Sequence, residues 1–241
     1  IEEKAEFISA NEIQVGSKKL KADKFIIATG SVIAHYPIPG LKETGFVTSD
    51  DVLTMRESPE SLIVLGAGAV AVELAQFFLR IGTKVTLIQR SDHILSQGDG
   101  DLARPVEDRF REEGMDLYTG TKIIKAAREN ERSAIYFEQD GKENRVEAET
   151  ILQALGRRPN INGLNLQAAG VETDKGRVTV DSEMRTSREN IFAVGDVNGI
   201  HEVVHIAIQQ GEIAGFNACH PDKLKQVDDR LKATVVFTDP A

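Results

Sequence analysis

An α/β fold with a parallel sheet is predicted from three features of the stretch Ser61 to Arg90, SLIVLGAGAVAVELAQFFLRIGTKVTLIQR. Leu62 to Leu65 is wholly apolar, as expected of a parallel strand covered on both faces. Glycines follow it at once. Val70, Leu74, Phe77, Phe78 and Ile81 then recur at helical spacing, Gly82 stands where a C′ glycine stops a helix, and Lys84 to Ile88 reads as a second strand.

Each part of this unit has a chemical reason. Gly66, Gly68 and Ala71 form a GxGxxA pattern. The first glycine permits the tight turn, the second lets the backbone approach a pyrophosphate, and the small third residue lets helix and strand lie close. Unpaired N–H groups and the positive end of the helix dipole then face the phosphates. A glycine turn serving packing alone is the competing reading, and the strand–turn–helix–strand context argues against it. At the end of the second strand an acid would accept hydrogen bonds from the adenosine ribose hydroxyls and repel a 2′-phosphate. Gln89 stands there instead, followed by Arg90, which either pairs with a 2′-phosphate or is an ordinary solvated charge. This pair favours NADPH over NADH.

Composition sets the outer bounds. The 241 residues suffice for one large or two small domains, and 41% hydrophobic with 28% charged residues is ordinary for a globular chain. A net charge of -9 argues against nonspecific binding to nucleic acid or to an anionic membrane. No apolar run approaches the roughly 20 residues of a membrane span, and IEEKAEF lacks the features of a signal peptide, so a cytoplasmic location is expected. Cys219 is the only cysteine, which excludes an intramolecular disulfide and a CxxC or CxxxxC pair. It reads as a helix-end residue, with a reactive thiol as the lesser alternative.

Upstream of the central unit, Ala5 to Lys24 reads as a small antiparallel meander with turns at Ser9 to Glu12 and Gly16 to Lys19. Phe25 to Ser31 reads as a buried strand entering a small-residue turn. Thr48 to Asp51 looks like the N-cap cluster of a helix through Arg56, and Ser58-Pro59 suggests a domain boundary near residue 59. Downstream, a helix is expected over about Asp101 to Glu113, with Leu102, Val106 and Phe110 inward, Pro105 in its first turn and Gly114 as its stop. A meander over Asp116 to Tyr118, Ile123 to Arg128, Ala134 to Glu138 and Arg145 to Glu149 follows, with Asp140-Gly141 as the last hairpin turn. Thr150 to Leu155 should then return to the parallel sheet, where Gly156 would line the same crevice as Gly66.

Arg157 to Asn165 reads as loop, followed by short strands around Val171 and Val178 to Val180. Asn190 to Asp196 reads as an apolar strand ending in Gly195, which allows close approach, and Asp196, whose carboxylate either accepts ligand hydroxyls or caps the turn. A helix over about Glu202 to Ala218 places Val204, Ala207, Ile208, Gly211, Ala214, Gly215 and Ala218 on one small-residue face. His201 and His205 read as helix-start and packing residues, and no metal site is expected. Thr234 to Phe237 reads as a final strand.

Four blocks in order, IIATGS (Ile26 to Ser31), GAGAVAVE (Gly66 to Glu73), ALGRRPN (Ala154 to Asn160) and NIFAVGDV (Asn190 to Val197), resemble the flavin-dependent pyridine nucleotide-disulfide oxidoreductases. That group includes dihydrolipoamide dehydrogenase, glutathione reductase and mercuric reductase, and VVFTDP (Val235 to Pro240) resembles the opening of its dimerisation domain. The resemblance implies a Rossmann-like NAD(P)-binding domain (59–157) inserted into part of a second, FAD-type α/β domain (1–58 and 158–231), with residues 232–241 starting a truncated dimerisation domain. It implies FAD and NADP or NAD as cofactors, hydride transfer between them, and a parent homodimer completed by the missing N- and C-terminal parts.

Residue by residue, the resemblance implies that Thr29 and Gly30 lie near the flavin nucleotide. Asp196 would bind its ribityl or phosphate region, with Gly195 permitting the approach. Gly66, Gly68, Val70 and Ala71 would hold the NAD(P) pyrophosphate. Glu73, in the helix's first turn, matches an acid near nicotinamide and flavin, whereas Ala69 replaces the larger gating residue of many members. Ala71, Gln89 and Arg90 lie closer to the NADPH-using glutathione and mercuric reductases. No catalytic residue is expected here, because the redox cysteine pair and the His/Glu pair are absent. The alternative is a noncatalytic NAD(P)-binding, redox-sensing module or subunit.

Overall fold

The computed structural model describes residues 2–228, 230 and 233–241. They divide into two compact units, residues 34–156 with 235–241, and residues 2–33 with the described residues between 157 and 234.

The flanking unit opens with β1 (Ala5–Ser9), β2 (Glu12–Val15) and β3 (Lys18–Lys21), an antiparallel meander in the order β1-β2-β3. Next come β4 (Phe25–Ile27) and β5 (Ser31–Ile33). The expectation of a buried strand holds only in part, since Ile27 is buried and Ile26 is 43% exposed.

The chain then enters the central unit at residue 34, well before the boundary expected near 59. The reason is packing. Leu41, in α1 (Leu41–Thr44), lies in the central core, and Val47 forms a parallel bridge with Leu152. The helix expected through Arg56 is a single turn, α2 (Ser49–Val52). Asp51 accepts from the Thr48 N–H at 2.8 Å and the Thr48 hydroxyl at 2.7 Å, and these donors hold its carboxyl below the usual range.

The central sheet consists of β6 (Ser61–Leu65), β7 (Lys84–Ile88), β8 (Asp116–Tyr118) and β12 (Thr150–Gln153), all parallel in the order β12-β6-β7-β8. Asp116 to Tyr118, expected in the meander, is thus the outer strand of the parallel sheet. Alternate residues serve opposite faces: Leu62 and Val64 pack with α3 (Ala69–Arg80) and α4 (Gly100–Glu112), while Ile63 and Leu65 pack beneath the meander. That meander comprises β9 (Lys122–Glu129), β10 (Arg132–Gln139) and β11 (Lys142–Ala148), ordered β11-β10-β9. Asp140 and Gly141 both take positive φ at its second turn, as a type I′ hairpin requires.

In both helices the buried face matches the expected apolar row only in part. In α3 the inward residues are Ala71, Val72, Ala75, Gln76 and Phe78, whereas Val70, Phe77 and Ile81 are 42–52% exposed. Small side chains bring the helix close to the sheet, which leaves the bulkier stripe outside. In α4, Asp99 caps by accepting the Asp101 N–H, so the helix starts at Gly100 and Pro105 falls beyond its first turn. Leu102 is 76% exposed, and Ala103, Val106, Glu107 and Phe110 face inward.

Returning to the flanking unit, Arg157–Pro159 forms β13, which pairs antiparallel with β5 where a loop was expected. After α5 (Leu166–Ala169) come β14 (Thr173–Asp174) and β15 (Arg177–Val178); Val171 lies outside both strands. β16 (Ile191–Ala193) pairs parallel with β4, and α6 (Val204–Cys219) packs on both. The inward face of α6 carries Ile206, Gln210, Ile213, Ala214 and Asn217, whereas the expected Val204 and Ile208 are 78% and 58% exposed. Buried amides with partners override hydrophobic ranking here: Asn217 accepts the Lys225 N–H and donates to the Glu183 and Lys225 carbonyls.

The expected strand Thr234 to Phe237 is not one. Residues 235–240 form no regular element and are fastened to α3 by hydrogen bonds, and Lys232 lies outside the described residues. Among the described residues, no helix is long and apolar enough to cross a membrane.

Candidate nucleotide-binding site

The two glycines of the turn do different work. Gly66 leaves β6 with φ +99°, and a Cβ there would lie 2.5 Å from the Ala154 carbonyl oxygen beyond β12. The fold itself therefore requires glycine at this position. Gly68 has an ordinary φ of -75°, and a Cβ there would meet nothing within 4 Å. It is the N-cap of α3 and has no side chain to cap the helix. Gly68, Ala69 and Val70 are exposed at this turn, so the helix start is open to solvent up to the buried Ala71. Ala71 is fully buried, which leaves no room for a larger residue between helix and sheet.

Strand pairing brings the other predicted residues to the same sheet edge. Leu65 pairs with Ile88 on one side and Gln153 on the other, so the glycine turn, Gln89 and the 154–156 segment all follow the carboxyl ends of adjacent strands. Gln89 is fixed by its N–H to the Tyr118 carbonyl (2.8 Å) and by its own carbonyl, which accepts the Thr121 N–H and hydroxyl. Its side chain accepts the Arg90 N–H at 3.1 Å and reaches Ser96 Oγ at 3.5 Å. Arg90 is exposed and has no ion pair among the described residues. Gly156 is exposed at φ +125°, and its carbonyl accepts the Ala34 N–H at 3.0 Å. Glu73 is the fifth residue of α3, beyond the expected first turn, and its Oε1 accepts the Phe237 N–H at 2.9 Å.

In the flanking unit, Asp196 sits in a short 3-10 turn (Gly195–Asn198) directly after β16. One carboxylate oxygen accepts from the Ser31 hydroxyl at 2.7 Å, and Arg157 in turn donates to that hydroxyl at 2.8 Å. Gly195 takes φ +73°, its N–H donates to the buried Gln210 side chain at 2.8 Å, and Asn198 donates to the same Gln210 oxygen. Thr29 donates its hydroxyl to the Asn160 carbonyl, and Gly30 has φ +67° with open space at its Cβ position. The Glu202 carboxyl is pushed above its usual range by loss of hydration and then by the Asp196 charge, with Arg157 opposing. Sequence reasoning missed Ser31, Arg157 and Gln210. Ser31 and Arg157 stood inside the blocks IIATGS and ALGRRPN, but their pairing across 126 residues had no local signal. Cys219 is exposed at the end of α6.

A parallel sheet carrying a glycine turn between its first strand and a helix defines a Rossmann-type α/β protein. Within that class the chain belongs to the pyridine nucleotide-disulphide oxidoreductase family, whose profile matches residues 1–211. It is 37% identical over 238 residues to a mercuric reductase of Staphylococcus aureus, covering 98% of this chain and 43% of that protein. A dihydrolipoyl dehydrogenase of Mycobacterium tuberculosis is 32% identical over 240 residues, covering 97% of this chain and 52% of that one. Among solved structures, the HOCl-induced flavoprotein disulfide reductase RclA from Escherichia coli superposes with a TM-score of 0.90 at 27% identity, covering 100% of this chain and 55% of that chain. The chain thus spans about half the length of the relatives it matches.

Proposed function

We propose that the chain forms the nicotinamide-nucleotide unit, and part of the flavin unit, of an oxidoreductase that transfers hydride between NAD(P)H and FAD. In the whole protein the electrons would continue to or from a disulfide or dithiol substrate. Gly68 carries this reading. Neither its backbone conformation nor the packing around it requires glycine, so close approach by a ligand is the remaining reason for the missing side chain.

The bound cofactors would supply the hydride chemistry, and the chain's residues bind and orient them. Gly66 shapes the turn, Gly68 leaves room for a pyrophosphate, and the N–H groups of Ala69, Val70 and Ala71 donate to it. Gln89 and Arg90 would face the adenosine ribose, and Arg90 favours a 2′-phosphate and hence NADPH. Glu73 and Gly156 would border the nicotinamide half. Thr29, Gly30, Gly195 and Asp196 would hold the flavin nucleotide, with the Ser31 hydroxyl fixing one Asp196 oxygen and leaving the other as an acceptor. These second-cofactor residues weigh against the reading as a lone nucleotide sensor. Residues 59–157 would take the NAD(P)-type role, with 34–58 packed into the same unit, and residues 1–33 and 158–231 would take the FAD-type role; in the whole protein residues 232–241 would lead into a dimerisation domain, and that protein is proposed to be a cytoplasmic homodimer.

Titration calorimetry of the 241-residue chain with NADPH and NADH tests the reading. Binding of NADPH in preference to NADH is expected. Equal, weak binding of both would remove the role of Arg90, and binding of neither would overturn the nucleotide site. Because Cys219 is the only cysteine, no disulfide reduction by an internal dithiol is expected from this chain alone. Stoichiometric FAD together with dithiol-type disulfide reduction by the isolated chain would contradict that.

A further inference from the structure

Further along α3 lies a polar cluster that the dinucleotide site does not use. Gln76 is only 4% exposed, so its amide must find partners. It finds them chiefly in the backbone of Asp239: Nε2 donates to the Asp239 carbonyl at 2.9 Å and to the Glu113 carboxylate at 3.3 Å, and Oε1 accepts the Asp239 N–H at 2.8 Å. A side-chain amide here imitates the reciprocal pairing of two strands. One turn earlier, Glu73 accepts the Phe237 N–H. One turn later, Arg80 pairs with the Asp239 carboxylate at 2.6 Å and with Glu113 just past the end of α4 at 2.6 Å. Glu73, Gln76 and Arg80 are spaced by three and four, so they form one row on the helix.

The segment they hold alternates as a strand would. Val236 packs against the central core and Thr238 is 7% exposed, whereas Val235 and Phe237 are 59% and 80% exposed. It is therefore recognised through its backbone by α3 and seated by two inward side chains.

We propose that residues 235–240 form a strap that positions the dinucleotide-binding helix, with Gln76 as its positioning residue, so that strap docking and dinucleotide binding strengthen each other. This rests on the nucleotide site proposed above. One rigid helix carries both functions, phosphate-facing N–H groups in its first turn and the strap row beginning at its fifth residue. A ligand that orders the helix start lowers the cost of docking the strap, and by linkage the strap raises ligand affinity by the same factor.

Hydrogen exchange by NMR on the whole 241-residue chain tests this directly, because the Phe237 and Asp239 amides are the strap's two donors to α3. Saturating NADPH should slow exchange at both by about five-fold or more, the low end of ordinary couplings. Gln76→Leu, which keeps the volume and removes both backbone bonds, should weaken NADPH binding by about the same factor. Gln76→Glu, which keeps the acceptor for the Asp239 N–H but turns an acceptor toward the Asp239 carbonyl and the Glu113 carboxylate, should not restore it. Unchanged exchange at both amides in wild-type protein that does bind NADPH would overturn the proposal. So would wild-type affinity in a folded Gln76→Leu. If Gln76→Leu does not fold, the wild-type exchange measurement decides alone. Failure of the wild-type chain to bind NADPH or NADH would instead remove the nucleotide site, and this inference with it.

Discussion

The central unit covers its sheet on both faces; the flanking unit does not. In the centre, alternate residues of β6 point into two separate cores, one under α3 and α4 and one under the meander, and all five residues of the strand are buried. In the flanking unit β4 has β16 as its only strand partner among the described residues, and Ile26, Val204 and Ile208 remain exposed. An enclosed parallel sheet fixes the ends of its strands, and the glycine turn is built at such an end. The proposed nucleotide site would therefore lie within one unit. The candidate flavin residues Thr29 and Gly30 follow a strand whose surface is still open.

Core truncation should break this contrast most severely. Phe110, on the inward face of α4, is fully buried, and Phe110→Ala should cost about 3–5 kcal/mol in urea unfolding. The exposed Val204→Ser should change stability by only about 0.5 kcal/mol. A large loss at Val204 would show that the open face is covered in solution.

The two turn glycines sharpen the comparison within the central unit. Gly66→Ala combines a left-handed φ with a backbone clash, and should lose on the order of 3 kcal/mol of stability. Gly68→Ala should stay within about 1 kcal/mol of wild type yet bind NADPH at least about ten-fold more weakly. Wild-type affinity in Gly68→Ala would refute the assignment of the pyrophosphate to this turn. A smaller and more selective effect is expected of Arg90→Ala: NADPH affinity should fall about ten-fold, the scale of one charge-assisted hydrogen bond, with NADH affinity unchanged.

The smallest effect concerns pH. Arg80 holds the carboxyls of Asp239 and Glu113 below their ordinary ranges, with Arg109 adding to both and pairing with Glu113 at 2.9 Å. Depressed carboxyl values contribute stability above the unfolded value and lose it as pH falls through the folded one. The strap should therefore be held fully at pH 6 and loosen below about pH 4, seen as faster exchange of the Asp239 amide relative to the rest of the unit. Equal acceleration across the unit between pH 5 and 3 would show that Arg80 does not anchor the strap.

Much of the central unit was legible because its signals are local. Leu62 to Leu65, the glycine turn, Gly82 and the Asp140-Gly141 hairpin each follow from residues within one element, and the structure places a strand, a helix end and a turn there. Which stripe of a helix faces inward was less legible. α3 carries two apolar stripes, and hydrophobicity ranks Phe77 and Ile81 above Ala71 and Ala75, whereas close contact with a sheet favours the alanines. In α6 the inward face includes Gln210 and Asn217, polar residues that only distant partners make suitable for burial.

The residues alone thus settled the class of fold, the order of its blocks and the glycine turn, since those rest on backbone freedom and short-range periodicity. Tertiary structure decided that residues 34–58 belong with the central unit, that Arg157 and Ser31 meet at Asp196, and that residues 235–240 lie as a strap on α3 rather than begin a sheet. Each of those outcomes depends on partners 119 to 165 residues apart, whose joining is governed by the packing of the whole chain rather than by any local preference.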